Sequence, residues 1–506
     1  MILLVHKVAS WFLKRRMEHV QTYMLDPEGV QERVLNELVS QASQTLWGRV
    51  HGYASMRSAD DFRRNTPVST YEQLYPYIEK SLQGQPDVLW PGPVEWFAKS
   101  SGTTNDKSKF IPVTPASLED CHFRAGQDML AIYLENKPES KLFSGKSLSI
   151  GGSHAVNRHN EFSRTGDLSA VLMANLPIFY EWLRTPSREV ALMAEWEKKI
   201  DAMAREVMEE DVTAIAGVPT WTLVLIDRIF QIKGITSRNL LEVWPNLELY
   251  VHGGVSFEPY RDQFRQLLPT PNMTYLDCYN ASEGFFAVQD TLEQRDMLLM
   301  LDYGIFFEFM PMDQLGERFP KTCLLHEVET GVQYAVVIST NGGLWRYLIG
   351  DTVVFTSLRP YRIRISGRTK FFINAFGEEL VVDNADEALV AACAATGATV
   401  VDYTAGPIYF DAGAQGGHEW LIEFEHAPND MERFTEVLDA TLKRVNSDYE
   451  AKRAGDIALR RPLIHSMQRG VFHQWMKKRG KLGGQNKVPR LANNRQYLEE
   501  LLEMKG

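Results

Sequence analysis

Cysteine is scarce. The four in the chain, Cys121, Cys278, Cys323 and Cys393, are too widely spaced to make a Cys-x-x-Cys pair. That excludes a cysteine-rich zinc module and fits a reducing compartment. Long apolar runs are missing as well. Met297–Leu301 is cut by Asp302, the small-residue stretch Ala388–Val401 is broken by Gly397, and nothing reaches the ~18 residues of a membrane span. The apolar start Met1–Val5 runs at once into His6 and Lys7, too short for a signal-peptide core, and no small-residue cleavage site follows. A cytoplasmic protein is expected. Positive charge is in deficit, with a formal net charge of −11. This argues against nonspecific binding to nucleic acid or anionic membranes, but a local cationic loop can still hold a nucleotide at short range.

Familiar catalytic signatures are absent too. Gly145-Lys146-Ser147 resembles the end of a P-loop, but Ser140 stands where that motif needs glycine. His326-Glu327 is followed by Thr330 and not by the second histidine of a zinc-protease helix. No Gly-x-Ser-x-Gly elbow occurs, and the twelve histidines form no ligand-spaced cluster. Internal repeats and low-complexity linkers are lacking.

What is present is a chain of 506 residues, 44% hydrophobic and 24% charged, enough for two to four domains with large cores. Residues 8–58 read as helical, with Asp26-Pro27-Glu28 as a helix start and Val30, Val34, Leu35 and Leu38 at helical spacing. Residues 115–135 and 188–210 read as further helices. Between them lie strand-like runs: Ser147–Ile150, Leu247–Val251, Met273–Tyr279, Tyr334–Ile338 and Asp351–Thr356. The alternation predicts a mixed α/β body. Tyr361–Ser366 alternates as a strand, and Asn374-Ala375-Phe376-Gly377 signals a turn. A boundary is therefore expected near residue 368, dividing an N-terminal domain (1–368) from a smaller α+β unit (369–506). Within the latter the pattern reads helix 384–396, strands 399–404 and 418–425, helix 429–448, strand 456–462 and a basic tail, 477–490.

Five segments carry chemistry. The loop Ser100-Ser101-Gly102-Thr103-Thr104, followed by Lys107 and Lys109, packs hydroxyls, a glycine and cations together. It can wrap a polyphosphate through backbone N–H groups, hydroxyls and ammonium groups, or be a solvated Ser/Thr turn. In Leu249–Val255, paired Gly253 and Gly254 end an apolar strand. They can let a flat base lie on bare backbone, or simply turn the chain from strand to helix. In Tyr279-Asn280-Ala281-Ser282-Glu283, the tyrosine can stack on a base, Ser282 can bind phosphate and Glu283 can hold magnesium; the alternative is a helix N-cap by Ser282. Asp351, after Gly350, can accept both ribose hydroxyls or lead a turn. Lys487, in a glycine-rich basic stretch, can swing into a site as a mobile cation or be part of a surface tail.

In this order and at these spacings, Ser100–Lys109, Tyr279–Glu283, Tyr347–Asp351 and Asn486–Arg490 resemble the auxin-responsive acyl-acid amido synthetases, the Gretchen Hagen family, in bacterial form. That family lies within the acyl-adenylate-forming superfamily of acyl-CoA synthetases, luciferases and peptide-synthetase adenylation domains. The resemblance covers nearly the whole chain. It implies a large N-terminal domain of β-sheets flanked by helices and a small C-terminal cap joined by a hinge. It also implies ATP and Mg²⁺, a carboxylic acid converted to acyl-AMP, and transfer of the acyl group to an amine, an amino acid in the leading reading. A small-molecule ligase is implied, monomeric, with neither nucleic acid nor membrane as partner. Carried over by position, Ser100, Ser101, Gly102, Thr103, Thr104 and Lys109 would grip phosphates. Gly253, Gly254 and Val255 would flank adenine, with Tyr279 stacked on it. Ser282 would meet the α-phosphate, Glu283 would ligate magnesium and Asp351 would bind ribose. Arg368 would reach ribose or phosphate, and Lys487 would complete the adenylation site. Two positions depart from the family pattern: Asp106 replaces a loop glycine, and Leu348 stands where arginine is frequent, with Arg346 the candidate to compensate. A ligase that uses coenzyme A and a catalytically silent binding protein are the rivals. The presence of Glu283, Asp351 and Lys487 weighs against the silent protein.

Overall fold

The computed structural model describes residues 2–100, 109–151, 156–193, 195–254, 257, 260–369, 372–410, 415–456, 458–479 and 488–505. The expected start at Asp26 is present. The helices Ile2–Leu25 and Pro27–Ala42 meet there, and the Asp26 carboxylate accepts the Gly29 N–H at 3.2 Å, with Pro27 opening the first turn. The second helix buries Val30, Val34, Leu35 and Leu38. Its Gln31 donates to the carbonyls of Leu301 and Ile305 and accepts the Phe307 N–H at 2.8 Å. Those bonds cover an edge strand that would otherwise expose its backbone.

That edge belongs to an eleven-stranded sheet with two characters. One half is antiparallel, in the order Ile305–Pro311, Gln333–Thr340, Tyr347–Leu358, Tyr361–Arg368, Met297–Leu299, Gly284–Val288, Thr274–Ala281. From Thr274–Ala281 the sheet continues in parallel through Leu249–Gly253, Val212–Ala216, Lys146–Ser149 and Arg184–Thr185. Parallel strands need crossovers and cover on both faces. The helices Trp196–Val207 and Pro219–Lys233 pack into one core around Trp244 and Tyr250, while Arg124–Asn136 joins the main core on the other side. A second sheet of four strands carries the hairpin Trp96–Ser100/Lys109–Val113, whose last paired residues are Ser100 and Lys109.

The C-terminal region has its own three-stranded sheet, Thr399–Ile408, Gly417–His426 and Leu463–Met467, and its own cores. The mixed α/β architecture, with a large N-terminal part and a smaller α+β part, is as the sequence implied. Two local expectations are corrected. The strand expected at 456–462 lies instead at Leu463–Met467, because Pro462 has no N–H to donate and the ladder begins after it. The helix expected over 429–448 divides at Asn446, which ends Met431–Val445 and caps Ser447–Arg453 by accepting the Tyr449 N–H at 2.8 Å.

Candidate active site

A cavity of about 1480 Å³ opens where the parallel strands end at Ala216, Gly253 and Ala281. This is the end at which open α/β sheets place their ligands, because loops there diverge and backbone N–H groups are free. Gly253 and Gly254 form its wall. A Cβ on Gly253 would lie 2.6 Å from the Cys278 carbonyl oxygen, and Gly254 has φ +79°. Side chains are excluded at both positions, so bare backbone faces the cavity.

The hairpin Thr274–Ala281/Gly284–Val288 turns at Ser282 and Glu283, and both line the cavity. The alternative of a helix N-cap at Ser282 is thereby excluded, since no helix follows. Burial pushes the Glu283 carboxyl above its usual range, while the charge of Lys109 pulls it back in part. Lys109 Nζ donates to the Tyr347 hydroxyl at 3.3 Å, and that hydroxyl lies 3.5 Å from Glu283 Oε1. The ammonium also faces the rings of Tyr71 and Tyr347, 5.7 and 5.9 Å from their centroids. Tyr71 is fixed by accepting the Phe110 N–H at 2.8 Å. Among the described residues, the positive charge beside Glu283 does not offset its burial, which suits a cation ligand. Among the described residues there is no group of three or more His, Cys, Asp or Glu side chains able to cage a metal. A single carboxylate fits Mg²⁺, which keeps waters and substrate phosphates as its other ligands.

Asp351 and Arg368, seventeen positions apart in sequence, are direct cross-strand partners. Arg368 Nε donates to Asp351 Oδ1 at 2.6 Å, and the Tyr279 hydroxyl donates to Oδ2 at 2.7 Å. Four strand spacings separate the strands of Tyr279 and Asp351, about 19 Å in a flat sheet. The hydrogen bond is possible only because the sheet curls, leaving the three-residue strand Met297–Leu299 at its waist. Burial lowers the Arg368 pKa, but Glu379, 3.5 Å away, and Asp351 more than offset this and raise it above its ordinary value. Its guanidinium also lies 4.8 Å from the centroid of Phe372. Burial, followed by the Asp351 charge, pushes the Tyr279 phenol far up, so it stays a donor. His122 also lines the cavity, and burial lowers its imidazole to about 4, leaving it neutral near pH 7.

The C-terminal part closes the cavity. Asn374 Nδ2 donates to the Gly254 carbonyl at 3.3 Å, and the Tyr260 hydroxyl donates to the Ala375 carbonyl at 2.8 Å. Lys452 stands 4.8 Å from the ring centroid of Trp221.

The structure therefore gathers Ser100, Lys109, Gly253, Gly254, Tyr279, Ser282, Glu283, Asp351 and Arg368 around one cavity. Ser101, Gly102, Thr103, Thr104, Asp106, Val255 and Lys487 lie outside the described residues. The segment just beyond Lys487 is anchored: Pro489 and Arg490 accept hydrogen bonds from Thr404 and Ala405. Arg346 does not compensate for Leu348. Its guanidinium is buried in the core on Glu308, while Leu348 lines the cavity. Sequence reasoning missed Tyr71, His122, Asn374, Glu379 and Lys452. Only Asn374 and Glu379 had a local signal, the turn at 374–377.

Residues 16–273 match the GH3 family N-terminal domain, 298–368 its central domain and 383–496 its C-terminal domain. An indole-3-acetic acid-amido synthetase of Oryza sativa subsp. indica is 24% identical, over 94% of this chain and 90% of its own length. A jasmonoyl–L-amino acid synthetase of Nicotiana attenuata is 23% identical, over 97% and 95%. Among solved structures, an acyl acid amido synthetase in complex with 2,4-DB superposes with a TM-score of 0.63 at 18% identity, over 97% of this chain and 96% of that one. A 2-hydroxyisobutyryl-CoA ligase superposes at 0.55, with 14% identity over 94% and 91%.

Proposed function

This chain belongs to the GH3 family, and from that premise we propose an ATP-dependent ligase that adenylates a carboxylic acid and passes the acyl group to an amino acid. In the first step an oxygen of the acid attacks the α-phosphorus of ATP, and the bond to pyrophosphate breaks. In the second the amine nitrogen attacks the acyl carbonyl, AMP leaves and the amine's surplus proton passes to solvent.

One observation carries the reading. The Tyr279–Asp351–Arg368 cluster and the Lys109–Tyr347–Glu283 cluster, built from distant segments, face the same cavity at the same sheet end. Asp351, oriented by Arg368 and Tyr279, has a remaining lone pair on each oxygen for ribose hydroxyls. Arg368 gives only its Nε to Asp351, and its remaining donors would serve ribose or phosphate. Gly253, Gly254 and Val255 border adenine, and Tyr279 adds its ring. Ser282 meets the α-phosphate. The hairpin loop from Ser100 to Lys109, with Ser101, Gly102, Thr103 and Thr104, grips the phosphates, and Lys487 completes the site from the C-terminal side. Mg²⁺ on Glu283 would neutralise charge on the transferring phosphates. Such a scheme needs positioning and electrostatic stabilisation, and little else.

We divide the labour at residue 368, where the strand Tyr361–Arg368 ends. Residues 1–368 hold the nucleotide, and residues 369–506 form a hinged cap over it. The same reading makes the enzyme a cytoplasmic monomer that binds neither nucleic acid nor membrane. Its net charge weighs against nucleic-acid and membrane partners and its free cysteines fit a reducing compartment, and no helix among the described residues is long and apolar enough to cross a membrane.

Acid-dependent ATP–pyrophosphate exchange, screened over indole-3-acetic acid, 4-substituted benzoates and 2,4-DB, tests the first step. Addition of amino acids or coenzyme A tests the second. Amide without thioester is expected; thioester without amide overturns the acceptor assignment.

A further inference from the structure

Lys452 has no role in the scheme so far, yet its surroundings are unusual for a lysine. It sits on the short C-terminal helix Ser447–Arg453 and is only 5% exposed. The next residue, Arg453, turns the opposite way and is bound on both sides by Asp439, at 2.8 Å to each oxygen. Lys452 instead faces the cavity. Its ammonium lies over the Trp221 ring, and no hydrogen bond or ion pair joins it to any described residue. Gly377, with φ +85°, passes so close that a Cβ there would lie 3.4 Å from Lys452 Cε, so the turn at 374–377 confines the side chain. Among the described residues, this nearly buried ammonium is offset by an aromatic face and by no anion.

One turn earlier on the same helix, Asp448 also lines the cavity. Lys452 and Asp448 stand four positions apart on one helix and line the same cavity, so a ligand that carries both a carboxylate and an ammonium group can meet the two together. Lys452 and Asp448 come from the C-terminal part, whereas Glu283 and Lys109, at the nucleotide end, come from the N-terminal part.

We propose that Lys452 binds the α-carboxylate of the amino acid acceptor, with Asp448 facing its ammonium group. The assignment rests on the adenylating reading above and specifies how that enzyme selects an amino acid over other amines. Lys452 touches the acceptor and takes no part in the first half-reaction.

The test compares wild type with Lys452→Met and Lys452→Arg. Lys452→Met should leave acid-dependent pyrophosphate exchange and hydroxamate formation with hydroxylamine within about twofold of wild type. Its KM for the amino acid should rise about 10- to 100-fold, the scale of one lost hydrogen bond to a charged group. With the primary amide of that amino acid as acceptor, wild type and variant should perform alike. Lys452→Arg should recover part of the loss. Three outcomes overturn the proposal: an unchanged KM for the amino acid, a fall in exchange that parallels the fall in amide formation, or a raised KM for the acid itself. The last would assign the carboxylate to the first substrate. Absence of exchange in wild type with every acid would sink the adenylating reading and, with it, this assignment; an unchanged amino acid KM sinks only the role of Lys452.

Discussion

Two arginine–carboxylate pairs lie 22 residues apart, and they do opposite things. Arg346 and Glu308 are sealed in the core, with side chains 5% and 1% exposed. Every donor direction of Arg346 is used: two bonds to Glu308 at 2.8 Å, one to Thr322, and two to the carbonyls of Arg63 and Thr66. Its backbone is held at φ +41°, a conformation that a bulky residue keeps only when its contacts fix it. Arg368 and Asp351 make a single short bond, share Glu379 and Tyr279, and open on the cavity. The first pair is closed and satisfied, so it holds the fold together. The second retains unused donors and acceptors beside an open space, so it can hold a ligand. A buried ion pair by itself says little about role; the saturation of its hydrogen bonds is what distinguishes the two.

Substitution should separate them. Arg346→Met leaves Glu308 buried without a partner and should cost about 3–5 kcal/mol of stability in urea denaturation. Arg368→Met, on the cavity edge, should shift the urea midpoint far less. If the two destabilise equally, the distinction fails. In acid-dependent pyrophosphate exchange the order should reverse. Arg368→Met and Asp351→Asn should each lose about 100-fold or more, the scale of removing one preorganised electrostatic contact. A smaller loss, about tenfold, is expected from Tyr279→Phe, which removes one hydrogen bond to the Asp351 carboxylate and keeps the ring. If exchange is indifferent to this change, the hydroxyl does not orient Asp351 for catalysis.

The smallest effect concerns pH. Burial raises the Glu283 pKa in the folded chain, so the free protein loses stability as pH climbs through that raised value. Below the ordinary glutamate range, about pH 4, none of that loss is present. Glu283→Gln should therefore raise the thermal midpoint slightly near pH 8 and leave it unchanged near pH 4. Mg-ATP should stabilise wild type more than this variant. A variant less stable at pH 8 would mean that Glu283 already has a sufficient partner in the protein.

The comparison also marks how far the sequence could be read. Asp351 and Arg368 were recognisable because each follows a glycine, in segments whose order and spacing match the family, although Asp351 lies within the strand Tyr347–Leu358 and not at a strand end as expected. That they are cross-strand partners, and that Tyr279 closes on the same carboxylate, follows from sheet register and curl, which no local pattern encodes. Arg346 shows the reverse failure. Its position beside Leu348 suggested the site, but Arg346 lies in the bend just before the strand Tyr347–Leu358, at φ +41°, and that bend turns its side chain into the core, where Glu308 and Thr322 claim it. Ser282 and Glu283 were legible as a polar pair after a strand, but whether they capped a helix or turned a hairpin depended on what Gly284–Val288 could pair with.

By itself, the sequence determined the α/β class, the succession of strands and helices, the family, and the chemical types at the nucleotide end. These depend on periodicity, glycine and proline placement, and local motifs, all short-range along the chain. Tertiary structure alone decided which charges are saturated and which are left open. It closed Arg346 inside the core and opened Arg368 to the cavity. It also brought Lys452 over Trp221, more than 200 positions away in the chain. Desolvation and pairing are properties of a place in space, and only the fold defines that place.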